Sequence, residues 1–198
     1  MKNENEKTRR FFNRVAFIYP IIDYNLMPEY RRALRKLKLP ESLTVLDLAT
    51  GTGILAGAFS ERGHKVSGLD FAEKLMKRAR KKFPAVEFRH FDLTDLDRIE
   101  DTSYDIVSMG YLLHGVDPQF RHHILKHARR ICREFVIVFD YCCPGNRLVR
   151  FIEWLEGPYY PQFVRSDRAE DFAAAGLTVE REIHLSDYGN VWLCKKTI

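Results

Sequence analysis

The chain has 198 residues, 45% of them apolar, and its 32 Lys and Arg outnumber its 27 Asp and Glu for a formal net charge of +5. That length and composition fit one globular α/β domain, residues 1–198, with a full core. No run of about 18 apolar residues exists, which excludes a spanning helix, and the polar, mixed-charge start Met1 to Lys7 lacks the apolar core of a signal peptide, so a cytoplasmic location is expected.

Residues 8–39 are predicted to form two helices: Phe11, Phe12, Val15, Ile18 and Ile22 recur at helical spacing, and Pro28 suits the first turn of the second helix. A buried-type strand follows at 43–48, then a helix over 54–62 that stops at Gly63. A second strand, 65–69, closes on Asp70. The helix over 72–83 turns Ala72, Leu75, Met76, Ala79 and Phe83 to one face, and Pro84 stops it. The third strand is 86–90, ending before Asp92; residues 94–97 resemble a helix-start capping box. Then come a strand at 104–109, a helix over 118–130, a fifth strand at 135–139 and a helix over 167–175 stopped by Gly176. Strands at 177–184 and 188–195 are joined by so short a loop that they must pair antiparallel. Five rounds of strand and helix closed by a hairpin predict a doubly wound, Rossmann-like seven-stranded sheet, mostly parallel with one antiparallel strand. Ligands of such sheets bind at the carboxyl ends of the strands, where Asp47, Asp70, Asp92 and Met109 lie.

The segment Val45-Leu46-Asp47-Leu48-Ala49-Thr50-Gly51-Thr52-Gly53 is the most informative. It reads as an apolar strand with an acid near its end, a glycine loop, then a helix, a form that lets a small ligand approach bare backbone. An anion before the loop repels a pyrophosphate but suits a ligand carrying an ammonium and a sulfonium, which points to S-adenosylmethionine. The rival is a nicotinamide fold, because Gly51-Thr52-Gly53-Ile54-Leu55-Ala56 matches G-x-G-x-x-A and Asp70 follows at about twenty residues. Asp47, where that fold has an uncharged strand end, argues against it, as do the third strand-end acid Asp92 and the final hairpin.

With these residues the chain resembles the class I S-adenosylmethionine-dependent methyltransferases over roughly residues 8–198, and within them the ubiquinone/menaquinone-biosynthesis type and its small-molecule relatives. The resemblance is carried by Asp47 to Gly53, Gly68-Leu69-Asp70-Phe71, Phe91-Asp92-Leu93, Leu113-His114-Gly115-Val116-Asp117 and, at the start, Phe17-Ile18-Tyr19. It implies S-adenosyl-L-methionine as cofactor, with Tyr19, Asp47, Ala49, Thr50, Gly51, Gly53, Asp70, Phe71, Asp92, Leu93 and Met109 at its site. A carboxylate at Asp70 can accept from both ribose hydroxyls, at about 1.5–3 kcal/mol for each charge-assisted bond. Asp92 can accept from the adenine amino group while the Leu93 amide serves a ring nitrogen. Phe71 is placed against the adenine face or in the core. Gly51 and Gly53 let backbone approach the methionine part, which Tyr19 covers from an N-terminal helical lid over residues 1–40. Ala49 departs from the glycine often found there, and its Cβ disfavours positive φ.

Methyl transfer is an in-line displacement in which the protein mainly aligns the acceptor and excludes water. An acceptor of high pKa needs a base, and His114, after the fourth strand, is the candidate catalytic residue; a pocket-shaping histidine is the competing reading. Residues 144–163, with Leu148, Phe151, Trp154, Leu155, Tyr159, Tyr160 and Phe163, read as an aromatic insertion near the acceptor pocket, or as a segment packed on the core or another subunit. The acceptor is expected to be a small apolar or aromatic molecule. No Asn/Asp-Pro-Pro-Tyr/Phe motif follows the fourth strand, which argues against methylation of nucleic-acid bases. His122, His123 and His127 share a helix without an acid at metal-binding interval, so no metal is expected. The four cysteines lack metal or CxxC spacing and are expected reduced. The basic runs Arg31 to Lys36 and Lys77 to Lys82 read as solvated helix faces, with an anionic membrane surface or RNA as alternative partners. A non-catalytic module that senses cofactor or binds a protein partner is the rival from another class. The sequence leaves the oligomeric state open.

Overall fold

The computed structural model describes residues 19–147, 149–150 and 158–197, with the side chains of residues 19–22 left out. Helix α1 (Tyr19–Leu37) runs through Pro28 without a break. Two helices divided at Pro28 are therefore not found. Proline removes one helical hydrogen bond and crowds the preceding turn, but burial of Met27, Tyr30, Ala33, Leu34 and Leu37 along one stripe holds the helix on either side of it. The expected helix before residue 19, with Phe11, Phe12, Val15 and Ile18, lies outside the described residues.

The remaining elements follow the alternation: β1 (Thr44–Leu48), α2 (Ile54–Ser60), β2 (Lys65–Asp70), α3 (Glu73–Lys82), β3 (Glu87–His90), a 3-10 segment (Leu93–Arg98), β4 (Tyr104–Gly110), a 3-10 turn (Leu113–Gly115), α4 (Pro118–Ile131), β5 (Cys132–Tyr141), α5 (Tyr160–Phe163), α6 (Arg168–Ala174), β6 (Leu177–His184) and β7 (Gly189–Lys196). The seven strands lie in the order β3-β2-β1-β4-β5-β7-β6. β7 runs antiparallel to β5 on one side and to β6 on the other.

The chain divides into two compact units between Asp95 and Leu96. In the first, β1 and β2 are nearly continuous buried runs and pair in parallel, with Asp47 opposite Gly68, and β3 pairs on the far side of β2. Strands covered on both faces carry such runs, whereas the short β3, mostly exposed, suits an edge. In the second unit β4 and β5 are parallel, with Met109 opposite Val138, and the β6–β7 hairpin closes through Leu185 N donating to Gly189 O at 2.8 Å. Asp117 caps α4 by accepting from Phe120 N (2.9 Å), with Pro118 at the first helical position, and Asp167 caps α6 by accepting from Ala169 N (2.8 Å). Thr94 does not cap the 3-10 segment as expected; the Asp92 carboxylate does, accepting from Thr94 N and Oγ1, both at 2.9 Å.

Cys132 and Cys194 are buried in β5 and β7, where burial pushes their thiols up to about 11 and about 12. Cys142 and Cys143 come just after β5, their sulfurs 3.8 Å apart, and all four cysteines are free thiols. The basic runs occupy exposed faces of α1 and α3. Among the described residues no helix is long and apolar enough to cross a membrane.

Candidate functional site

The first unit carries Asp47, Ala49, Thr50, Gly51, Gly53, Asp70, Phe71, Asp92 and Leu93 in or just after the carboxyl ends of its strands. Asp47, 1% exposed in β1, accepts a 2.6 Å hydrogen bond from Thr50 Oγ1, so the loop folds back on the acid that precedes it. The loop is fastened to β2 by Thr50 N donating to Leu69 O (2.9 Å), and to α1 by Thr52 Oγ1 donating to the buried Asp23 Oδ1 (2.6 Å). Three alternate residues take left-handed backbone: Ala49 (φ 52), Gly51 (φ 54) and Gly53 (φ 76). This alternation is the physical demand behind the glycine pattern. A Cβ on Gly51 would meet nothing nearer than 4.0 Å, whereas one on Gly53 would lie 2.7 Å from the Phe88 ring and 2.9 Å from Ala79 Cβ. Gly51 is therefore needed for its left-handed backbone rather than for close packing, and Gly53 lets the loop pack onto β3 and α3.

Ala49 occupies a left-handed position at a cost of about 1–2 kcal/mol for an L-residue. Part of that is returned because glycine is freer in the unfolded chain. Ala49→Gly is expected to raise the unfolding free energy by about 0.5–1 kcal/mol, seen as a higher urea midpoint at unchanged slope. A lower midpoint would mean that the Ala49 methyl contributes more by packing than its backbone costs.

Asp70 ends β2 and is 7% exposed. Its Oδ2 accepts from Gly51 N (2.8 Å) and its Oδ1 from Ala72 N (2.6 Å), tying the loop to the second strand. Burial raises its pKa above the ordinary carboxylate value, against the lowering effect of the Ala72, Gly51 and Phe71 amides. Phe71 is half-buried and packs on Ala72 and Leu75. Asp92, half-buried, follows β3, and Leu93 beside it is 5% exposed. Tyr19 opens α1, and its side chain lies outside the described residues. Acceptor carboxylates at or just beyond the ends of three parallel strands, with the Gly51 amide held by one of them, form a set of acceptors suited to hydroxyl and ammonium donors.

In the second unit Met109 is fully buried in β4, with no accessible atom for a ligand; the first partly exposed residue at that strand end is Gly110. Tyr111 follows with φ 51, its N–H donating to Phe139 O at 2.7 Å. The 3-10 turn then presents His114, 3% exposed, to Asp140, 0% exposed, near the end of β5. Asp140 Oδ1 lies 2.7 Å from His114 Nδ1 and accepts from Tyr141 N (2.8 Å); its Oδ2 accepts from Leu113 N (2.8 Å) and His114 N (3.3 Å). Four rings meet the imidazole edge-on: Tyr141 at 4.8 Å between centroids, Tyr160 at 6.1 Å, Phe163 at 6.2 Å and Tyr111 at 6.3 Å.

Tyr160 and Phe163 come from the aromatic segment 144–163 and pack inward against His114. The Tyr160 hydroxyl oxygen accepts from Gly145 N at 2.7 Å. Leu148, Phe151, Trp154 and Leu155 lie outside the described residues. Two buried arginines brace this cluster. Arg121 donates to Leu113 O (3.1 Å), and Arg168 to Phe163 O (2.6 Å). Both guanidinium carbons lie over the Phe163 ring, at 4.7 and 3.7 Å, and both pair with Asp171, at 3.3 and 2.8 Å. Sequence reasoning missed Asp140, Arg121, Arg168 and Asp171. The signal for Asp140 was present: an acid closing an apolar strand, as at Asp47 and Asp70.

On α4 the His123 and His127 rings are 4.5 Å apart, Phe120 stacks on His123 at 5.6 Å, and Arg130 Nε donates to His127 Nδ1 at 3.3 Å. Burial and the neighbouring His123 and Arg130 lower the His127 pKa. Among the described residues no group of three His, Cys, Asp or Glu could hold a metal ion.

Residues 45–134 match the family described as a methyltransferase domain. The chain is 26% identical over 145 residues to demethylmenaquinone methyltransferase of Bacillus cereus, an overlap of 67% of this chain and 60% of that relative, so it matches less than two thirds of the relative's length. Among solved structures, magnesium protoporphyrin IX methyltransferase from Synechocystis with bound SAH superposes with a TM-score of 0.68 at 15% identity, covering 98% of this chain and 100% of that one. A TehB-like SAM-dependent methyltransferase from Corynebacterium glutamicum gives 0.64 at 20% identity, covering 90% and 96%. These likenesses carry the fold.

Proposed function

We propose that this chain, a member of the class I S-adenosylmethionine-dependent methyltransferases, methylates a small apolar or aromatic acceptor of quinone-like kind. The cofactor supplies an electrophilic methyl group on a sulfonium. In this reading Asp70 accepts from the ribose hydroxyls, Asp92 and the Leu93 amide recognise adenine, Phe71 borders it, and Asp47 with the loop from Ala49 to Gly53 holds the amino acid end. Tyr19 and the N-terminal segment cover it. Met109 contributes through its place at the strand end, since its side chain is enclosed.

One observation supports the cofactor site most: the buried Asp70 carboxylate grips the amide of Gly51, a left-handed glycine whose added Cβ would meet nothing nearer than 4.0 Å. The acceptor reading is supported by His114 standing among Tyr111, Tyr141, Tyr160 and Phe163, a setting for a flat apolar ring rather than a charged chain.

The test is transfer of tritiated methyl from S-adenosylmethionine to 1,4-naphthohydroquinone under anaerobic conditions. Enzyme-dependent counts in the organic phase are expected. His114→Ala is expected to lower turnover by about 100-fold or more, with cofactor affinity within a factor of about three. A variant with normal turnover would leave His114 only a packing role.

A further inference from the structure

Cys142 and Cys143 follow β5 directly, in the unit that begins at Leu96. Both are partly exposed, unlike Cys132 and Cys194, which are fully buried in β5 and β7. Their sulfurs lie 3.8 Å apart. The pair is tied to the turn of the β6–β7 hairpin: Cys142 N donates to Tyr188 O at 3.0 Å, and Cys143 Sγ donates to Asp187 O at 3.3 Å. The peptide between them is trans, so their Cα atoms stand about 3.8 Å apart, short of the roughly 4.4 Å at which ordinary disulfides begin. A direct bond would also pull the sulfurs in to about 2.05 Å. One atom between them is a closer match. Two sulfurs on a single centre, with bonds of about 2.3 Å and a near-tetrahedral angle, stand about 3.8 Å apart.

The kind of centre follows from what else is there. Among the described residues no third His, Cys, Asp or Glu completes a metal site with the two thiols, whereas a zinc ion takes four donors. Burial, with Cys143 beside it, pushes the Cys142 thiol up to about 11, so it keeps its proton at neutral pH. A divalent ion must expel that proton. A trivalent arsenic centre that already bears one carbon group needs two thiols and takes both protons away as water. We propose that Cys142 and Cys143 form a dithiol site for monosubstituted trivalent arsenicals, compounds of the form R–As=O or their hydrates. Two S–H bonds and the As=O bond break; two As–S bonds and one water form. Arsenic stays trivalent, and no oxidant or reductant enters. Because the second As–S bond closes within the chain, the pair holds arsenic about 100-fold or more tightly than either thiol alone. The site needs no cofactor and is independent of the methyl-transfer reading.

The probe is phenylarsine oxide, added to the reduced full-length protein and followed by intact mass. One phenylarsenic group per chain is expected. Trypsin cuts after Arg133 and Arg147, so the segment 134–147 carries Cys142 and Cys143 without the other two cysteines. The arsenic is expected on that segment, a result that needs no variant. Cys142→Ser and Cys143→Ser are each expected to give up the arsenic at about 100-fold lower 2-mercaptoethanol than wild type. Arsenic on Cys132 or Cys194, no adduct on wild type, or a wild-type adduct stripped as readily as that of either variant overturns the site. A Cys142–Cys143 disulfide in protein handled in air overturns it too, because the pair would then be closed to a bridging atom. Zinc bound at micromolar strength by wild type and lost in Cys143→Ser overturns the ligand class in favour of a metal ion.

Discussion

Gly53→Ala is expected to lower the unfolding free energy by about 3 kcal/mol or more, the sum of left-handed backbone strain and an overfilled core. The residue sits at φ 76, and the added methyl would stand 2.7 Å from Phe88 and 2.9 Å from Ala79 Cβ. Neither neighbour can yield cheaply: Phe88 is 7% exposed, and its ring also lies over Gly68, where a Cβ would be 2.8 Å away. Ala79 is fully buried in α3 with its Cβ fixed by the backbone. Urea unfolding against Gly115→Ala makes the comparison. Gly115 has nothing within 4 Å of its would-be Cβ, so that variant should stay within about 0.5 kcal/mol of wild type. Equal stability of the two variants would show that the loop and Phe88 relax together.

On the proposed role of Asp70, Asp70→Ala is expected to weaken S-adenosylmethionine binding by about 100-fold or more, the effect of removing two charge-assisted bonds to a ribose. The variant also frees the Gly51 and Ala72 amides, so part of the loss comes through the loop. Asp70→Asn separates these effects: it keeps the volume but turns an amide group toward N–H donors. The ionised form is the one that accepts from two hydroxyls, and burial raises the Asp70 pKa. Affinity should therefore be full at neutral pH and decline as pH falls, beginning above the ordinary carboxylate range. For stability the sign is opposite: a folded-state pKa above the unfolded value favours the folded chain at low pH, and this contribution is lost as pH rises through the folded pKa. Unchanged affinity in Asp70→Ala would remove this carboxylate from the site.

The first unit was legible because each local signal agreed with the fold. Apolar runs, a glycine loop and strand-end acids at Asp47, Asp70 and Asp92 lie close to one another in sequence and need no distant partner to be read. Pro28 misled because its effect on a helix depends on burial on either side of it, which spacing alone does not weigh. Spacing alone makes Thr94 a helix cap, but Asp92, two residues earlier, takes the Thr94 amide with a carboxylate. β5 proved longer than its apolar stretch, Cys132–Tyr141, since Asp140 is a buried carboxylate whose reason for being there is His114, 26 residues away. The arginine brace was hidden for the same cause: Arg121 and Asp171 are separated by 50 residues and meet only in the folded chain.

The most direct measurement is calorimetric titration of wild-type protein with S-adenosylmethionine and S-adenosylhomocysteine. The account predicts one site of micromolar affinity for each, lost in Asp70→Ala while that variant still unfolds cooperatively. No heat of binding to a folded wild-type protein would contradict the cofactor site at the ends of β1, β2 and β3, and Ala49, with its methyl on left-handed backbone, would be the first residue to reverse.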